Sequence, residues 1–332
     1  MATAPGVGVI GIGVFGRLHA RVCAESDRLR LAAACSRREA SVAPLAERYG
    51  VWTTTDYREL VARPDVDIVI VCSPDGLHCR HGVAALEAGK HVFVEKPMAV
   101  TVPECDRMIE AAERSDVRLT VGQILRFVPR YAAARERIAA GEIGRIIHMY
   151  ARRNNTLAAA RHTLGTTTPV FRLGSHDLDF MLWCAHCPVV SVYARQVNRL
   201  LKPEEGPDCV LSLLTFADGA IAALETSHAL PEGSPSVMSA LFEAVGTEGS
   251  LEIDGAWDGM EIVADGRLQM GSARPVRGRI VGPIVDEIAD FARCVREGTP
   301  PAVTPEEARE VVRVVCAIHE SARSDRPVEL PV

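Results

Sequence analysis

The sequence predicts an α/β protein in two parts, a doubly wound parallel sheet followed by an α+β domain with a large, mostly antiparallel sheet. A strand, a glycine turn and a helix open the chain in "GVGVIGIGVFG", residues 6–16. Apolar strands then alternate with helices as far as about residue 123, whereas the later strands are joined by short turns. At 332 residues the chain is also long for a single hydrophobic core.

The first domain, 1–123, is predicted from strand-like runs that are continuously apolar, as in a sheet covered by helices on both faces. After the opening strand, these runs are "LRLAAAC", "VDIVIVC", "HVFVEK" and "RLTVGQI". Helical segments such as "LHCRHGVAALEAG" and "VPECDRMIEAAERS" lie between them. We therefore expect parallel strands connected by helical crossovers.

The second domain, 124–332, is predicted from strands that are joined by short turns, as in an antiparallel sheet. Examples are "CVLSLLTFADGAIAALETSH", "SALFEAVGTEGSLEID" and "GMEIVADGRLQM". Two helices are expected at 283–297 and 304–322, the second with Thr304 as its cap and Pro305 at its first position. We expect these C-terminal helices to pack back toward the first domain.

The composition argues against several classes of partner. A formal charge of −6 and a pI near 6.0 give no field that would attract nucleic acid. No apolar run is long enough to cross a bilayer, and the start "MATAPGVGVIGIG" lacks the basic region of a signal peptide. Ten cysteines without a disulfide framework suit a reducing compartment. We expect a cytoplasmic protein that binds neither nucleic acid nor membrane.

The glycine turn "GIGVFG" predicts a dinucleotide site of the Rossmann type. Gly11, Gly13 and Gly16 fit the pattern G-x-G-x-x-G, in which glycine allows a tight turn and a close approach of the backbone to the pyrophosphate. The helix that starts at Val14 and Phe15 then directs its N-terminus at the phosphate charge. The alternative is a plain turn between a strand and a helix.

The end of the second strand favours NADP(H) over NAD(H). A carboxylate there would bind the ribose 2′-hydroxyl of NAD, but this strand ends in Ser36, Arg37 and Arg38. A hydroxyl and a guanidinium would bind the 2′-phosphate of NADP instead. The alternative is that the two arginines only begin a solvated helix.

The segment "FVEKP", residues 93–97, predicts a catalytic group at the carboxyl edge of the sheet, where ligands bind in open α/β sheets. There Lys96 can donate a hydrogen bond to a substrate hydroxyl and stabilise the alkoxide that forms when hydride leaves. The alternative is that Glu95 and Lys96 are ordinary charged residues at the end of a strand.

Four segments, in order and with suitable spacing, resemble the glucose–fructose oxidoreductase and inositol dehydrogenase (Gfo/Idh/MocA) family. They are "GIGVFG", "SPDGLHCRHGVAALEAGKHVFVEKPMAV", "GQILRFVPR" and "LGSHDLDFMLW". The resemblance implies a Rossmann domain, a C-terminal α+β domain, and hydride transfer with NAD(P), commonly on sugars or cyclitols. It implies that Lys96 and His176 are the catalytic lysine and histidine. By comparison with the family pattern, we assign further residues to cofactor binding, namely Ser73, Pro74, His78, Glu95, Lys96 and Gln123. We assign Arg126, Arg172 and Asp179 to substrate binding.

The segment around His176 is predicted to be a helix that begins at Thr168-Pro169. Residues 172, 176, 179, 180 and 183 would then share one face. Gly174 inside this helix costs about 1 kcal/mol relative to alanine, which the close approach of nicotinamide or substrate would explain. By itself a histidine on an apolar helix is more often structural, and only the surrounding motif favours catalysis.

Arg172 departs from the resemblance, since many family members have aspartate four residues before the histidine. Arginine stays charged and cannot relay a proton. Its guanidinium can form two parallel hydrogen bonds to a carboxylate or phosphate. Two alternatives follow: either the substrate carries an acidic group, or Arg172 is turned away and paired with Asp177 or Asp179. The segment with Arg152, Arg153 and Arg161 would add positive charge to a site for an acidic substrate, but a solvent-exposed loop explains these arginines equally well.

No metal is expected. Cys184 and Cys187 in "WCAHCP" lack the second cysteine pair of a structural zinc site and are expected to be small apolar residues. A homodimer or homotetramer through the C-terminal sheet is expected, because "LSLLTFADGAIAAL" has apolar residues on both faces.

The sequence therefore predicts an NADP(H)-preferring oxidoreductase. It would transfer a hydride between nicotinamide and a CH–OH or C=O carbon of a sugar, cyclitol or related polyol, including substrates that carry an acidic group. One alternative is an NAD-dependent dehydrogenase of the inositol type. A second is a non-catalytic sensor or assembly protein that binds NADP(H) and a sugar.

Overall fold

The computed structural model describes residues 4–234, 237–255, 263–264, 267–268 and 273–331. The chain divides into two compact units. The first unit consists of Met1–Ile124 and Ser272–Arg309, and the second of Leu125–Gly271 and Glu310–Val332.

The first unit is built on a parallel six-stranded sheet, which confirms the predicted Rossmann-like class. Its strand order is β3-β2-β1-β4-β5-β6, the order of a doubly wound dinucleotide-binding sheet. The strands are β1 (Gly6–Ile10), β2 (Arg30–Cys35), β3 (Trp52–Thr54), β4 (Ile68–Val71), β5 (His91–Glu95) and β6 (Leu119–Gly122). The helices are α1 (Val14–Glu25), α2 (Glu39–Tyr49), α3 (Tyr57–Val61), α4 (His78–Glu87) and α5 (Val102–Ser115).

Strand β3 and helix α3 were not predicted, because three and five residues are too short to show a period. The central strands β1, β4 and β5 match the predicted apolar runs. Nearly all of their side chains are buried, as expected for strands with helices on both faces.

The predicted C-terminal helices are present as α9 (Pro283–Glu297) and α10 (Pro305–Ser324). The backbone N–H of Glu307 donates to Thr304 Oγ1 at 3.2 Å, and the Glu307 carboxylate accepts from Thr304 N–H at 3.1 Å. This reciprocal cap explains where α10 begins. Helix α9 and the first residues of α10, up to Arg309, belong to the first unit.

The second unit contains a seven-stranded mixed sheet in the order β12-β11-β7-β10-β9-β8-β17. Only the central pair, β7 and β10, is parallel, so the sheet is mostly antiparallel as predicted. Its strands are β7 (Ile146–Thr156), β8 (Val189–Val197), β9 (Cys209–Phe216), β10 (Ile221–Leu230), β11 (Met238–Gly246), β12 (Ser250–Asp254) and β17 (Val328–Glu329). Its helices, besides the rest of α10, are α6 (Pro129–Ala139), α7 (Leu157–Ala160) and α8 (Ser175–Ala185).

One face of this sheet is covered by α6, α8 and α10, which together form the core of the second unit. Phe180 of α8 packs edge-on against Tyr131 of α6 and Phe242 of β11, with ring centroids 4.8 and 4.6 Å apart. Leu211, Leu213 and Ile221 lie on β9 and β10, and each is more than half exposed.

Part of the predicted strand region 259–270 lies outside the described residues. Val263–Ala264 (β13) and Arg267–Leu268 (β14) form a small antiparallel pair. A second pair, β15 (Arg274–Val276) with β16 (Arg279–Val281), precedes α9. None of the helices in the described ranges combines the length and the apolar character needed to span a bilayer.

Candidate active site

The glycine turn after β1 has the geometry of a phosphate-binding loop. Gly11 has a φ of +95°, and a Cβ there would lie 2.5 Å from the carbonyl oxygen of Cys72. A Cβ at Gly16 would lie 1.9 Å from the carbonyl oxygen of Gly11. Both contacts exclude a side chain, so these glycines allow the close packing of α1 against the turn.

The remaining glycine leaves room for a ligand. A Cβ at Gly13 would meet no heavy atom within 4 Å. The first turn of α1 contains no acidic residue, and no side chain caps its N-terminus. Val14 and Phe15, at 63% and 36% exposure, are uncovered beside it. This open, uncapped helix end fits the pyrophosphate of a dinucleotide.

The end of β2 is joined directly to this turn. The backbone N–H of Gly11 donates to the carbonyl oxygen of Cys35 at 2.8 Å, so Ser36, Arg37 and Arg38 follow immediately at the same edge. Arg37 and Arg38 are exposed. Within the described residues, neither guanidinium has a hydrogen bond or ion pair. Asp56 and Glu59, in the segment after the neighbouring strand β3, bind Arg58 and Thr54.

The Lys96 turn lies at the same sheet edge, because β4 pairs with both β1 and β5. Just before it, Glu95 binds the buried His19 of α1, with Oε1 2.7 Å from Nε2. The other carboxylate oxygen accepts the backbone N–H of Lys96 at 3.2 Å. Burial opposes the charge of Glu95, but the hydrogen bond from His19 and the nearby positive charges outweigh it and lower the pKa of Glu95.

His78 links the loops that follow β4 and β5. Its Nδ1 lies 2.7 Å from the carbonyl oxygen of Pro97, and its Nε2 lies 2.8 Å from the carbonyl oxygen of Ser73. The Ser73 hydroxyl contacts Nδ1 of His81 at 2.9 Å. Pro74 occupies the position before the short turn Asp75–Leu77, which precedes α4. The predicted residues Ser73, Pro74 and His78 therefore stand beside the Lys96 turn.

Gln123, directly after β6, provides a second observation that fits a cofactor. The residue is 2% exposed, and its side-chain oxygen has no hydrogen-bond partner among the described residues. A buried unpaired carbonyl is costly, so a donor from a bound molecule would stabilise it. The amide of a nicotinamide carries such a donor.

In the second unit, His176 is half-buried at the second position of α8. The predicted continuous α-helix from Thr168 is wrong in one respect, because Val170–Gly174 forms a π-helical turn ahead of α8. This turn changes the angular relation between Arg172 and His176, so the two do not follow simple α-helical spacing. Turns of this kind are frequent at functional sites.

Gly174 has a packing reason that the sequence did not reveal. A Cβ there would lie 2.9 Å from Cγ2 of Thr226 and 3.2 Å from Cδ2 of Leu224, both on β10. The expectation that a nicotinamide or substrate explains this glycine is therefore corrected. Glycine is needed at position 174 because the π-helical turn packs closely against strand β10 of the sheet.

Two buried ion pairs flank His176. Asp177 binds Arg153 of β7 through both oxygens at 2.8 Å, and both residues are 1% exposed. Asp179 binds Arg126 at 2.7 and 3.0 Å, and these residues are 1% and 6% exposed. The predicted substrate residues Arg126 and Asp179 thus bind each other, and their role toward a substrate stays a prediction.

Arg172 reaches the segment that follows β7. Its guanidinium donates to the carbonyl oxygen of Ala159 at 2.8 Å and to the hydroxyl of Thr163. Nearby, His228 of β10 contacts Asn155 Oδ1 through Nδ1 at 2.6 Å. Burial, helped by the charge of Arg172, lowers the pKa of His228 to about 4. A neutral imidazole therefore stands close to the guanidinium.

Sequence reasoning missed His19, Asn155 and His228, and it named Arg153 only as part of a cationic loop and not as the partner of Asp177. The partners of these residues are 24 or more positions away in the chain, so no local pattern marks them. One signal was available. His19 follows Gly16 by three residues, so it faces the same side of α1 as the glycine that packs on the sheet.

Cys184 and Cys187 are thiols, and burial raises the pKa of both. Within the described ranges, no three histidine, cysteine, aspartate or glutamate side chains are grouped so as to hold a metal ion.

Two family models match the chain. Residues 6–123 match the model described as "Oxidoreductase family, NAD-binding Rossmann fold". Residues 131–252 match the "GFO/IDH/MocA C-terminal domain". Together the matches cover well over half of the chain. The chain belongs to the Gfo/Idh/MocA family. It is an NAD(P)-dependent oxidoreductase, as its resemblance to that family predicted.

Three similar proteins illustrate the range of this family. Myo-inositol 2-dehydrogenase of Thermotoga maritima is 27% identical over 332 residues, 98% of each chain. D-xylose 1-dehydrogenase (NADP(+)) 2 of Haloferax volcanii is 29% identical and covers 98% of each chain. A crystal structure of Lactobacillus casei scyllo-inositol dehydrogenase with NAD(H) and scyllo-inositol has a TM-score of 0.85 at 20% identity, covering 98% of this chain and 99% of that one. The last likeness shows the fold alone.

Proposed function

We propose that this oxidoreductase acts on a CH–OH or C=O carbon of a sugar, cyclitol or related polyol, with NADP(H) preferred. The observation that carries the proposal is the common sheet edge in the first unit. The open helix end at Gly13 and the Lys96 turn lie there, separated only by β4. Ligands of doubly wound sheets bind at this edge.

Each predicted catalytic residue has a distinct task. When bound, the cofactor accepts or supplies the hydride. Lys96 donates a hydrogen bond from Nζ to the reacting oxygen and stabilises its negative charge during oxidation. His176 takes up the hydroxyl proton and returns it in the reverse direction. The glycine turn would hold the pyrophosphate, and the side-chain oxygen of Gln123 would accept a hydrogen bond from the nicotinamide carboxamide.

The preference for NADP(H) rests on the end of β2. Arg37 and Arg38 are exposed there without a carboxylate partner among the described residues, next to the Ser36 hydroxyl. Two guanidinium groups and a hydroxyl suit a 2′-phosphate, whereas the 2′-hydroxyl of NAD lacks the acidic acceptor that usually binds it. The Haloferax relative is named for NADP(+), which agrees.

The second candidate is an NAD-dependent dehydrogenase of the inositol type. It is favoured by the full-length similarity to the Thermotoga maritima myo-inositol 2-dehydrogenase. The two candidates share the same chemistry. They differ in the cofactor that Ser36, Arg37 and Arg38 would bind, so a measurement of cofactor specificity separates them.

Cofactor absorbance at 340 nm, measured with a panel of cyclitols, aldoses and sugar acids, tests the proposed function. We expect turnover with at least one polyol and a higher kcat/KM with NADP⁺ than with NAD⁺. Arg37→Ala should weaken NADPH binding and leave NADH binding nearly unchanged. Equal losses, or tighter NADH binding by the unmodified protein, would favour the second candidate. Binding without turnover across the panel would favour a sensor.

We also propose that the enzyme is a homodimer or homotetramer in a reducing compartment, the cytoplasm. The exposed Leu211, Leu213 and Ile221 form an apolar strip on the C-terminal sheet, which a second copy would cover. All ten cysteines are thiols. A monomer in light scattering at micromolar concentration would contradict the assembly.

A further inference from the structure

A buried histidine connects the cofactor-binding helix to the Lys96 turn. His19 lies on α1, one turn after Gly16, and has no exposed surface. Its Nε2 lies 2.7 Å from Oε1 of Glu95, the residue that precedes Lys96. The ring also packs against Phe93 of β5, with centroids 5.4 Å apart. One side chain of α1 thus fixes both the body and the end of β5.

The chemistry of this contact fixes the direction of the hydrogen bond. The Glu95 carboxylate can only accept, so His19 donates from Nε2. Its Nδ1 is buried and has no hydrogen-bond partner among the described residues. A buried unpaired atom costs free energy. The ring is therefore placed for its contact with Glu95 and not for a second polar contact.

The carboxylate in turn organises the turn that follows. Its Oε2 accepts the backbone N–H of Lys96 at 3.2 Å, so Glu95 joins the ring of His19 to the backbone of the predicted catalytic residue. The Glu95 side chain is 15% exposed, and burial alone would disfavour its charge. Without a donor, this carboxylate would tend to protonate and release the backbone.

We propose that His19 is a positioning residue that holds the Glu95 carboxylate ionised against the backbone of Lys96. The inference rests on the proposed function only for the role of Lys96. Beyond that function, it assigns to α1 a second task besides phosphate binding, which is to set the charge and geometry of the turn after β5. Burial opposes the charge of Glu95, but His19, Lys96 and His78 together lower its pKa. Burial, Glu95 and Glu287 raise the pKa of the neighbouring Cys72.

A matched pair of variants separates the hydrogen bond from general packing. His19→Gln places its amide nitrogen where Nε2 lies, so it keeps the donor to Glu95. His19→Asn places its amide near Nδ1 and cannot reach. We expect the carboxyl ¹³C signal of Glu95, assigned by its loss in Glu95→Gln, to titrate at the same pH in the unmodified protein and in His19→Gln. In His19→Asn the midpoint moves to higher pH.

The pH dependence of turnover should distinguish the two variants in the same way. The acidic limb of the kcat/KM profile should move to higher pH in His19→Asn and stay in place in His19→Gln, while the NADPH Kd changes less than about twofold in both. If His19→Asn does not fold, His19→Leu removes the donor without adding a buried amide. An unchanged Glu95 midpoint in a folded donor-free variant overturns the proposal. If Lys96→Met keeps full turnover, the proposed function fails, but the Glu95 titration still decides the role of His19.

Discussion

The residues beside His176 combine local features with contacts that only the fold creates. Asp177 and Asp179 were visible in the sequence as a polar patch on an apolar helix, but their partners were not. Arg153 is 24 positions from Asp177, and Arg126 is 53 from Asp179. Sequence reasoning expected Arg172 to bind an acidic substrate or to pair with one of these aspartates. In the structure, the oxygens of both aspartates bind other arginines.

The Arg153–Asp177 pair should be essential for the stability of the second unit. Removing one partner leaves the other as an uncompensated buried charge. We expect Asp177→Ala to lower the free energy of unfolding by about 3–5 kcal/mol in denaturant titration. As the control, Arg195→Ala breaks the exposed pair with Asp325 and should lower the free energy of unfolding far less. Similar small losses in both variants would mean that the buried pair contributes little.

Arg172 tests whether the substrate carries an acidic group. If its guanidinium binds a carboxylate, Arg172→Ala should raise KM chiefly for acidic substrates, with a smaller change in kcat. Arg296→Ala, which removes an exposed arginine from helix α9, serves as the control. An equal rise of KM for neutral and acidic substrates would show that Arg172 has a structural role.

Among the elements, the longer strands and the glycine turn were predicted well, because continuous apolar runs and G-x-G-x-x-G are local patterns, whereas the three-residue strand β3 was missed. The π-helical turn 170–174 was not predicted, since no residue type marks it. The role of Gly174 was misjudged for a related reason. Its neighbour Thr226 is on β10, 52 positions away, and only tertiary packing brings the two together.

The open N-terminus of helix α1 leads to a prediction about cofactor binding. A methyl group at Gly13 would meet no protein atom, but it would occupy the space assigned to the pyrophosphate. Gly13→Ala should therefore melt at the temperature of the unmodified protein and bind NADPH at least tenfold more weakly, as measured by fluorescence titration. Gly233→Ala, also in open space, is the control and should bind normally. Unchanged NADPH affinity in Gly13→Ala would place the pyrophosphate elsewhere.

For the whole molecule, buried neutral histidines predict sensitivity to acid. Burial lowers the pKa of His228 and of His319 to about 4, with help from Arg172 and Arg323. Unfolded histidine titrates near 6.5, so between about pH 6.5 and 4 the unfolded chain binds more protons than the folded one. Stability is therefore full above this range and falls as the pH falls through it.

Chemical denaturation at pH 7 and pH 5 measures this effect. Each histidine should lower the free energy of unfolding by up to about 2 kcal/mol at pH 5. His228→Asn should show a smaller loss between the two pH values than the unmodified protein. As the control, His148→Asn replaces an exposed histidine and should keep the full loss. An identical pH dependence in His228→Asn and the unmodified protein would contradict the assignment.

The role of Lys96 in hydride transfer is tested most directly by single-turnover kinetics of Lys96→Met with saturating NADPH or NADP⁺ and the best polyol or carbonyl substrate. We predict a rate lower by roughly 10²–10⁴-fold, with the dissociation constant of the cofactor nearly unchanged, because Lys96 acts on the reacting oxygen. A rate within about threefold of the unmodified enzyme would contradict the proposed chemistry at this turn.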